Sequence, residues 1–355
     1  MSGTINHEQR IQGCLLGTAL GDAIGLPFEG LGPRRAARFR DAGPMRHRLL
    51  LGRGLCSDDT EQTVLIAEAL IEAGLDPERF AGAFARKLRG WFLRLPAGVG
   101  LGTLRACGKL CLGFGPSRSG VRSAGNGAAM RAALLGLVAR DEGELQSLVT
   151  AATRVTHTDP RAGDGARMIA TAAFLIRGNG DFAPAALVDR LLPLTDDADF
   201  RGRLAGVRDH LAAGRGAGGL GETLRADRGV SGFVVETVPA ALLCWLAHPG
   251  DFRGAVEAAV RLGGDTDTVA AIAGALAGAE AGLDGLPAEW INGLAEWPCT
   301  PAHLRRLGAA LAAEPSGADV GSNGPSLNPF LLLARNLVFL PVVLAHGFRR
   351  LLPPY

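Results

Sequence analysis

The sequence predicts an all-α protein, and three observations carry that expectation. Apolar residues recur at helical rather than alternating spacing through most of the chain. The apolar runs are long, alanine-rich and poor in β-branched pairs, so candidate strands are nearly missing. Segments dense in Ser, Thr, Asp and Gly fall where such helices would begin. Roughly a dozen or more helices are expected, with the chemistry in the loops at their N-termini.

At 355 residues the chain suffices for one large domain or two ordinary ones. Apolar residues make up 47% and charged residues 20%, a globular composition with a large core. The net charge is +2 and no block of like charges stands out. The clustered basic surface that marks nucleic acid or anionic membrane as the main partner is therefore missing. Lys87 and Lys109 are the only lysines, so the positive charge is nearly all arginine, which reads as genome composition first. The six cysteines show no C-x-x-C pair and no metal-finger spacing. Cys107 and Cys111, four apart, share one helix face and read as buried small apolar residues. His7, Glu8 and Arg10 precede any apolar run, which does not read as a signal peptide, so a reduced, cytoplasmic setting is expected.

The first element is the run GCLLGTALGDAIGLPFEG from Gly13 to Gly30. Gly13, Gly17, Gly21 and Gly25 recur every four residues and give one smooth helix face for close packing. Each costs a helix roughly 1 kcal/mol against alanine, so packing must compensate. The segment ends at Pro27, with Glu29 just past it. Residues 61–73 follow an acidic start, and Gly74 sits at the stop position. Residues 126–140, 161–177, 235–247 and 266–283 read the same way, and the Ala/Gly density of 269–282 predicts a helix buried on most sides.

The composition breaks at 314–328, EPSGADVGSNGPSLN, which reads as a flexible linker. The expected organisation is a catalytic domain over 1–313, that linker, and an apolar helical segment over 329–355. Arg335, Asn336 and Pro341 interrupt the last segment and make it a poor membrane span. A helix docked on the domain or on a partner is expected there, with interfacial contact at a membrane surface as the alternative. The oligomeric state is left open.

Two short segments hold the chemistry. Ser57-Asp58-Asp59-Thr60-Glu61 precedes the helix at 61–73, and Gly263-Gly264-Asp265-Thr266-Asp267-Thr268 precedes the one at 269–282. Either alone is explained by N-capping and the helix dipole. A cap needs one oxygen, however, and each segment supplies two carboxylates with flanking hydroxyls. Crowded carboxylates in a partly buried site take up protons unless a cation is present. These hard oxygen donors suit Mg²⁺ or Mn²⁺, and the lack of His or Cys in either segment argues against zinc. Two such clusters facing each other could hold two ions about 3.5–4 Å apart. Residues 123–131, Ser-Ala-Gly-Asn-Gly-Ala-Ala-Met-Arg, form a small-residue loop opening a helix, an arrangement that binds anions through backbone N–H groups. His157 stands at another loop-to-helix boundary, where a structural hydrogen bond is the ordinary reading.

Taken in order, these segments resemble the ADP-ribosylglycohydrolase family, which includes the dinitrogenase reductase-activating glycohydrolase and the eukaryotic ADP-ribosyl-acceptor hydrolases. The resemblance runs from about Ile11 to about Gly282 and rests on G-D-A-x-G-x-P-x-E, S-D-D-T-E, G-N-G-A-A-M-R, T-H-T-D-P-R-A and G-G-D-T-D-T. It implies a compact all-α fold with two Mg²⁺ or Mn²⁺ ions in a central cleft. The metal ligands it implies are Ser57, Asp58 and Asp59 from the first motif and Asp265, Asp267 and Thr268 from the second. Ser57 stands where the family often has threonine, and the hydroxyl is kept. Glu29 takes the place of a glutamate beside the metals that can gate the cleft. Ser123, Gly125, Asn126 and Gly127 become the diphosphate cradle, with His157 on the ligand side. Where some relatives carry an aromatic residue before G-N-G, this chain has Ala124.

Residues 97–103, with Gly100 and Gly102, look like the family's glycine loop near the ribose. Arginine-directed bacterial members carry an aspartate at about the place of Gly98, which makes arginine a less secure acceptor here. The implied reaction cleaves the bond between ADP-ribose and its acceptor on an ADP-ribosylated protein or small molecule. Asp58 and Glu29 are the two candidates for the base. The acceptor stays open between arginine, serine, another side chain, a nucleic-acid base and a free small molecule. The rival readings are a non-catalytic ADP-ribose binder of the same fold and a two-metal phosphoesterase. The first would lack acidic ligands and the second would need basic residues around the phosphate.

Overall fold

A computed structural model describes residues 5–40, 44–178, 183–313 and 324–349 of the protein. Its architecture follows from one helix pair. Asn6 opens the helix His7–Gly25 with a reciprocal capping box to Gln9. The glycines of that helix lie against the helix Thr266–Ala281, which runs antiparallel to it. A Cβ added to Gly13 would stand 2.1 Å from the Gly278 carbonyl oxygen, one on Gly17 2.1 Å from that of Gly274, and one on Gly21 2.0 Å from that of Ala270. Only small residues on both faces allow this approach. At the far end the Thr266 hydroxyl donates to the Gly25 carbonyl at 2.9 Å. The C-terminus of the first helix thus meets the N-terminus of the other, and the acidic segments are gathered there.

Eighteen α-helices and no strand occur among the described residues, which is the all-α class the sequence predicts. Helices Pro160–Arg177, Val234–Leu246 and Thr266–Ala281 agree with the expected spans to within two residues. One helix start differs: the helix expected over 61–73 begins at Asp58 with Ser57 as its N-cap, while the second begins at Thr266, as the 266–283 span expects, with Asp265 as its N-cap. Asp58, Asp59, Glu61 and Asp267 therefore sit inside the first turns, where carboxylates meet the helix dipole, and Asp265 stands at the N-cap.

The helix expected over 126–140 is not continuous. A 3₁₀ turn covers Asn126–Ala128 and an α-helix resumes only over Ala133–Val138. The cause is Arg131, whose guanidinium takes the Gly127 carbonyl that an α-helix would give to the amide of residue 131. The cysteine reading is corrected at one position: Cys107 is buried, but Cys111 is exposed near the end of the helix Leu101–Cys111.

The C-terminal segment forms one helix, Pro329–Arg349, unbroken through Arg335, Asn336 and Pro341. Arg335, Asn336 and Phe339 are buried against the rest of the chain, while Phe330, Leu337, Val338, Leu344 and Phe348 are exposed. With a mean hydropathy of 1.7 over Pro329–Phe348, it is long and apolar enough to cross a bilayer by length and composition. The helical stretch His7–Phe28 passes the same criterion but is 94% buried inside the fold. Most of the expected linker, residues 314–323, lies outside the described residues, as do 1–4 and 350–355.

Candidate active site

The first acidic segment is anchored by a residue that sequence reasoning did not single out. Asp22, fully buried in the first helix, accepts from the Ser57 amide at 2.9 Å, the Thr60 amide at 3.2 Å and the Thr60 hydroxyl at 2.5 Å. Burial pushes its carboxyl up to about 7, against the hydrogen bonds from Thr60 and Ser57. The available signal was a lone carboxylate within the apolar, glycine-faced run of that helix. Above this anchor, Ser57 caps the helix by accepting from the Asp59 amide at 3.2 Å. Asp58 accepts from Gln62 at 2.8 Å, and Gln62 in turn accepts from Arg131 at 2.7 Å.

The two acidic segments meet. Asp59 Oδ2 accepts from the Ser57 hydroxyl at 3.1 Å and from the Thr268 hydroxyl at 3.2 Å, across 209 residues of sequence. Asp265 accepts from the Asn126 side-chain amide at 2.6 Å. Glycines bring the second segment into place. Gly263 and Gly264 adopt φ of 70° and 84°, which favours glycine. In that conformation the Gly264 carbonyl accepts from the Gly30 amide at 2.7 Å, and the Asp265 amide donates to the Val230 carbonyl at 2.7 Å. Glu29, exposed at the end of the turn Leu26–Phe28, is thereby tied to the Asp265 loop.

Crowding shows in the protonation of these groups. Burial first, and then Glu61, Asp22, Asp265 and Glu29, raises the Asp58 carboxyl well above the usual range. Burial followed by Asp22, Asp58 and Asp265 does the same to Asp59, and burial with Glu29, Asp265 and Asp59 to Asp267. Asp59 Oδ1 and Asp267 Oδ1 are buried without a hydrogen-bond partner. Such orphaned oxygens are rare in folded proteins and point to something that would satisfy them. Among the described residues, no three His, Cys, Asp or Glu side chains already close on one point at ligand distance. The donors surround an open space, and hard oxygens around it fit a divalent cation with water completing its shell.

That space is the end of a cavity of about 700 Å³. Glu29, Asp58, Asp265, Asp267 and Thr268 line one part of it, and Ser57 and Asp59 stand behind them. Gly100, Gly102, Ser123, Gly125, Asn126, Gly127 and His157 line the rest, so the sequence-derived substrate residues come together with the acidic ones. Gly98, Leu101, Thr103 and Met130, which lie in the two loops expected to face the ligand, also line it, and the segment 228–232 joins them without having been expected there. Asn126 has a second use there, because its side-chain amide bridges Asp265 and the Thr237 hydroxyl at 3.0 Å. Gly102 and Gly127 keep the wall bare: a Cβ on either would stand 3.0–3.1 Å from the His157 ring.

His157 is buried and held from behind. Arg131 donates to the Thr156 hydroxyl at 2.6 Å, and that hydroxyl is hydrogen-bonded to His157 Nδ1 at 2.7 Å, which fixes the ring in place. Its Nε2 faces the glycine wall at Gly102, Gly125 and Gly127. Burial, aided by Arg131, pushes the imidazole down to about 3, so it is neutral at physiological pH.

Fold and site together define an all-helical protein whose cleft has an acidic end and a glycine-walled end. The family profile for ADP-ribosylglycohydrolase matches residues 3–319. The chain is 32% identical over 308 residues to an uncharacterised protein of Archaeoglobus fulgidus, covering 81% of this chain and 92% of that one. It is 30% identical over 328 residues to the ADP-ribosylarginine hydrolase Tri1 of Pseudomonas putida, covering 87% and 80% respectively. A solved structure described as an ADP-ribosylglycohydrolase-related protein complex superposes with a TM-score of 0.67 at 29% identity, covering 86% of this chain and 98% of that one. The chain belongs to the ADP-ribosylglycohydrolase family.

Proposed function

We propose that the protein hydrolyses the glycosidic bond between ADP-ribose and an acceptor, with two Mg²⁺ or Mn²⁺ ions held by Ser57, Asp58, Asp59, Asp265, Asp267 and Thr268. The observation that carries this reading is the pair of partnerless buried oxygens, Asp59 Oδ1 and Asp267 Oδ1, among carboxylates joined through Thr268. A protein that only bound ADP-ribose would have no use for so many uncompensated acids, which destabilise the fold when no cation is present.

Bound divalent ions would hold the ribose hydroxyls and lower the pKa of a water in this cleft. The bond at the anomeric carbon would break through an oxocarbenium-like state. Asp58 or Glu29 would accept the proton of the attacking water. The geometry favours Asp58: Gln62 engages its Oδ2, and its Oδ1 lies toward Gly98, 3.8 Å from where a Cβ there would be. The neutral His157 would offer Nε2 to the ligand, and the bare wall at Gly102, Gly125 and Gly127 would let the diphosphate lie close to backbone.

Gly98 leaves the acceptor side of Asp58 without an added carboxylate. A guanidinium acceptor would lose a partner there, so an acceptor other than arginine is the reading for this chain, in contrast to what the name of the Pseudomonas relative states for that protein. The test is ADP-ribose release from serine-linked and arginine-linked substrates, with Mg²⁺ and with EDTA. Metal-dependent release, faster from the serine-linked substrate, is expected. No release from any substrate with metal present would refute the hydrolase reading, and a clear preference for arginine would refute the acceptor reading alone.

A further inference from the structure

We infer that the C-terminal helix Pro329–Arg349 is a positioning element of the cleft and that Arg335 is its central residue; this rests on the functional reading above. The helix lies beyond residue 319, outside the span that matches the family profile. Arg335 is nevertheless buried next to the first acidic segment. Its Nη1 donates to Glu61 at 2.8 Å, and its Nη2 donates to Glu296 at 2.8 Å and to the Cys56 carbonyl at 2.5 Å. Glu296 also accepts from the Cys56 amide at 2.8 Å. Both polar groups of Cys56 are thus held by one ion-paired cluster, and the next residue is Ser57.

Glu61 lies in the first turn of the Asp58 helix and also accepts from Trp91 at 2.6 Å. The guanidinium lies 4.0 Å from the centre of the Phe339 ring. Phe339 packs with Leu26, Leu55 and Ala97, which lead toward Glu29, Ser57 and Gly98. One turn short of the helix end, His346 Nε2 bonds the Pro27 carbonyl at 2.9 Å, two residues before Glu29. A single helix therefore braces three walls of the cleft from behind. A guanidinium is costly to bury and pays back in stability poorly, but its planar fork fixes two carboxylates and a carbonyl in one register. Apolar packing alone would hold the helix in place without fixing Cys56.

The experiment uses the full chain with Arg335→Met and Arg335→Lys. Hydrogen exchange without metal should show faster exchange over 56–60 in Arg335→Met, with the Thr266–Ala281 helix unchanged. Mn²⁺ affinity, read by electron paramagnetic resonance, should fall about tenfold or more, as loss of outer-shell support does at metal sites. With substrate, kcat should fall while KM stays. Arg335→Lys, which keeps the charge but not the fork, should fall between. Should Arg335→Met fail to fold, His346→Leu removes the Pro27 contact and should loosen 28–30 while leaving 56–60 protected. Unchanged exchange at 56–60 with unchanged Mn²⁺ affinity would overturn the inference, as would a uniform loss of protection. If the wild type cleaves no ADP-ribosyl bond, the functional reading fails, while the exchange pattern still decides the role of Arg335.

Discussion

Gly17 and Gly274 touch backbone to backbone: a Cβ on Gly17 would lie 2.1 Å from the Gly274 carbonyl oxygen, and one on Gly274 would lie 2.4 Å from that of Gly17. This contact fixes how closely the first helix approaches the helix that carries Asp267, and so how closely the two acidic segments approach each other. Gly17→Ala should therefore destabilise the protein even though alanine is the better helix former. The clash is with backbone, and overpacking of this kind costs about 1–3 kcal/mol. Gly82, in the helix Pro77–Phe92, has nothing within 4 Å of its would-be Cβ. Gly82→Ala should stabilise by up to about 1 kcal/mol. Urea unfolding of both variants checks the pair. Equal shifts of the same sign would show that the glycine face does not set the helix spacing.

The glycine face was legible in the sequence because its period is local, as were both acidic segments and most helix spans. What was not legible depends on partners far along the chain. Arg335 reads as an interruption in an apolar run, yet Glu61 lies 274 residues away and Glu296 lies 39 away. The break in the 126–140 helix comes from where the Arg131 side chain goes, toward Gln62 and Thr156 as well as Gly127. The Asp58 helix starts earlier than read because its acidic residues were set apart as a loop, whereas hydroxyl and carboxylate groups cap and enter a first turn equally well.

Asp267→Asn should abolish metal-dependent turnover and leave the fold standing. It keeps the shape of the side chain while removing one of several crowded buried carboxylates, so the metal-free variant should melt no lower than the wild type. Mg²⁺ at a hundred times its Kd should stabilise the wild type by about 2.7 kcal/mol, and most of that gain should be missing in the variant. Thermal melts with and without Mg²⁺, together with ADP-ribose release, test this. Wild-type activity at saturating Mg²⁺ would remove Asp267 from the site.

His157 should stay neutral through the acid range. Its folded value of about 3 lies below the unfolded value of about 6.5, so below pH 6.5 the unfolded chain binds a proton that the folded chain does not. Its contribution is therefore present above pH 6.5 and is lost as pH falls toward 3, by about 2 kcal/mol at pH 5. His157→Gln removes that titration. Between pH 7 and pH 5 the wild type should lose more stability in urea than the variant does, and the His157 proton resonances should not move. A resonance titrating near pH 6 would contradict both.

Asp22 does not line the cavity, yet the site should depend on it. Its Oδ2 takes the Ser57 amide, the Thr60 amide and the Thr60 hydroxyl, while Oδ1 shares only the Ser57 amide at 3.0 Å. An asparagine oxygen in the Oδ2 position keeps all three of the first contacts. Burial pushes the Asp22 carboxyl up to about 7, so a neutral group there is already close at hand near neutral pH. Asp22→Asn should then keep Mn²⁺ affinity within a few-fold of the wild type. Asp22→Ala leaves the Ser57 and Thr60 donors buried and unpaired, at about 1–3 kcal/mol for each group left unsatisfied. It also frees Ser57, and Mn²⁺ affinity should fall about tenfold or more although no ligand has been removed. Mn²⁺ titrations of the two variants separate these outcomes. Equal losses in both would mean that the charge of Asp22 matters rather than its place as a hydrogen-bond acceptor, and an alanine variant with full affinity would show that Ser57 holds its position without this anchor.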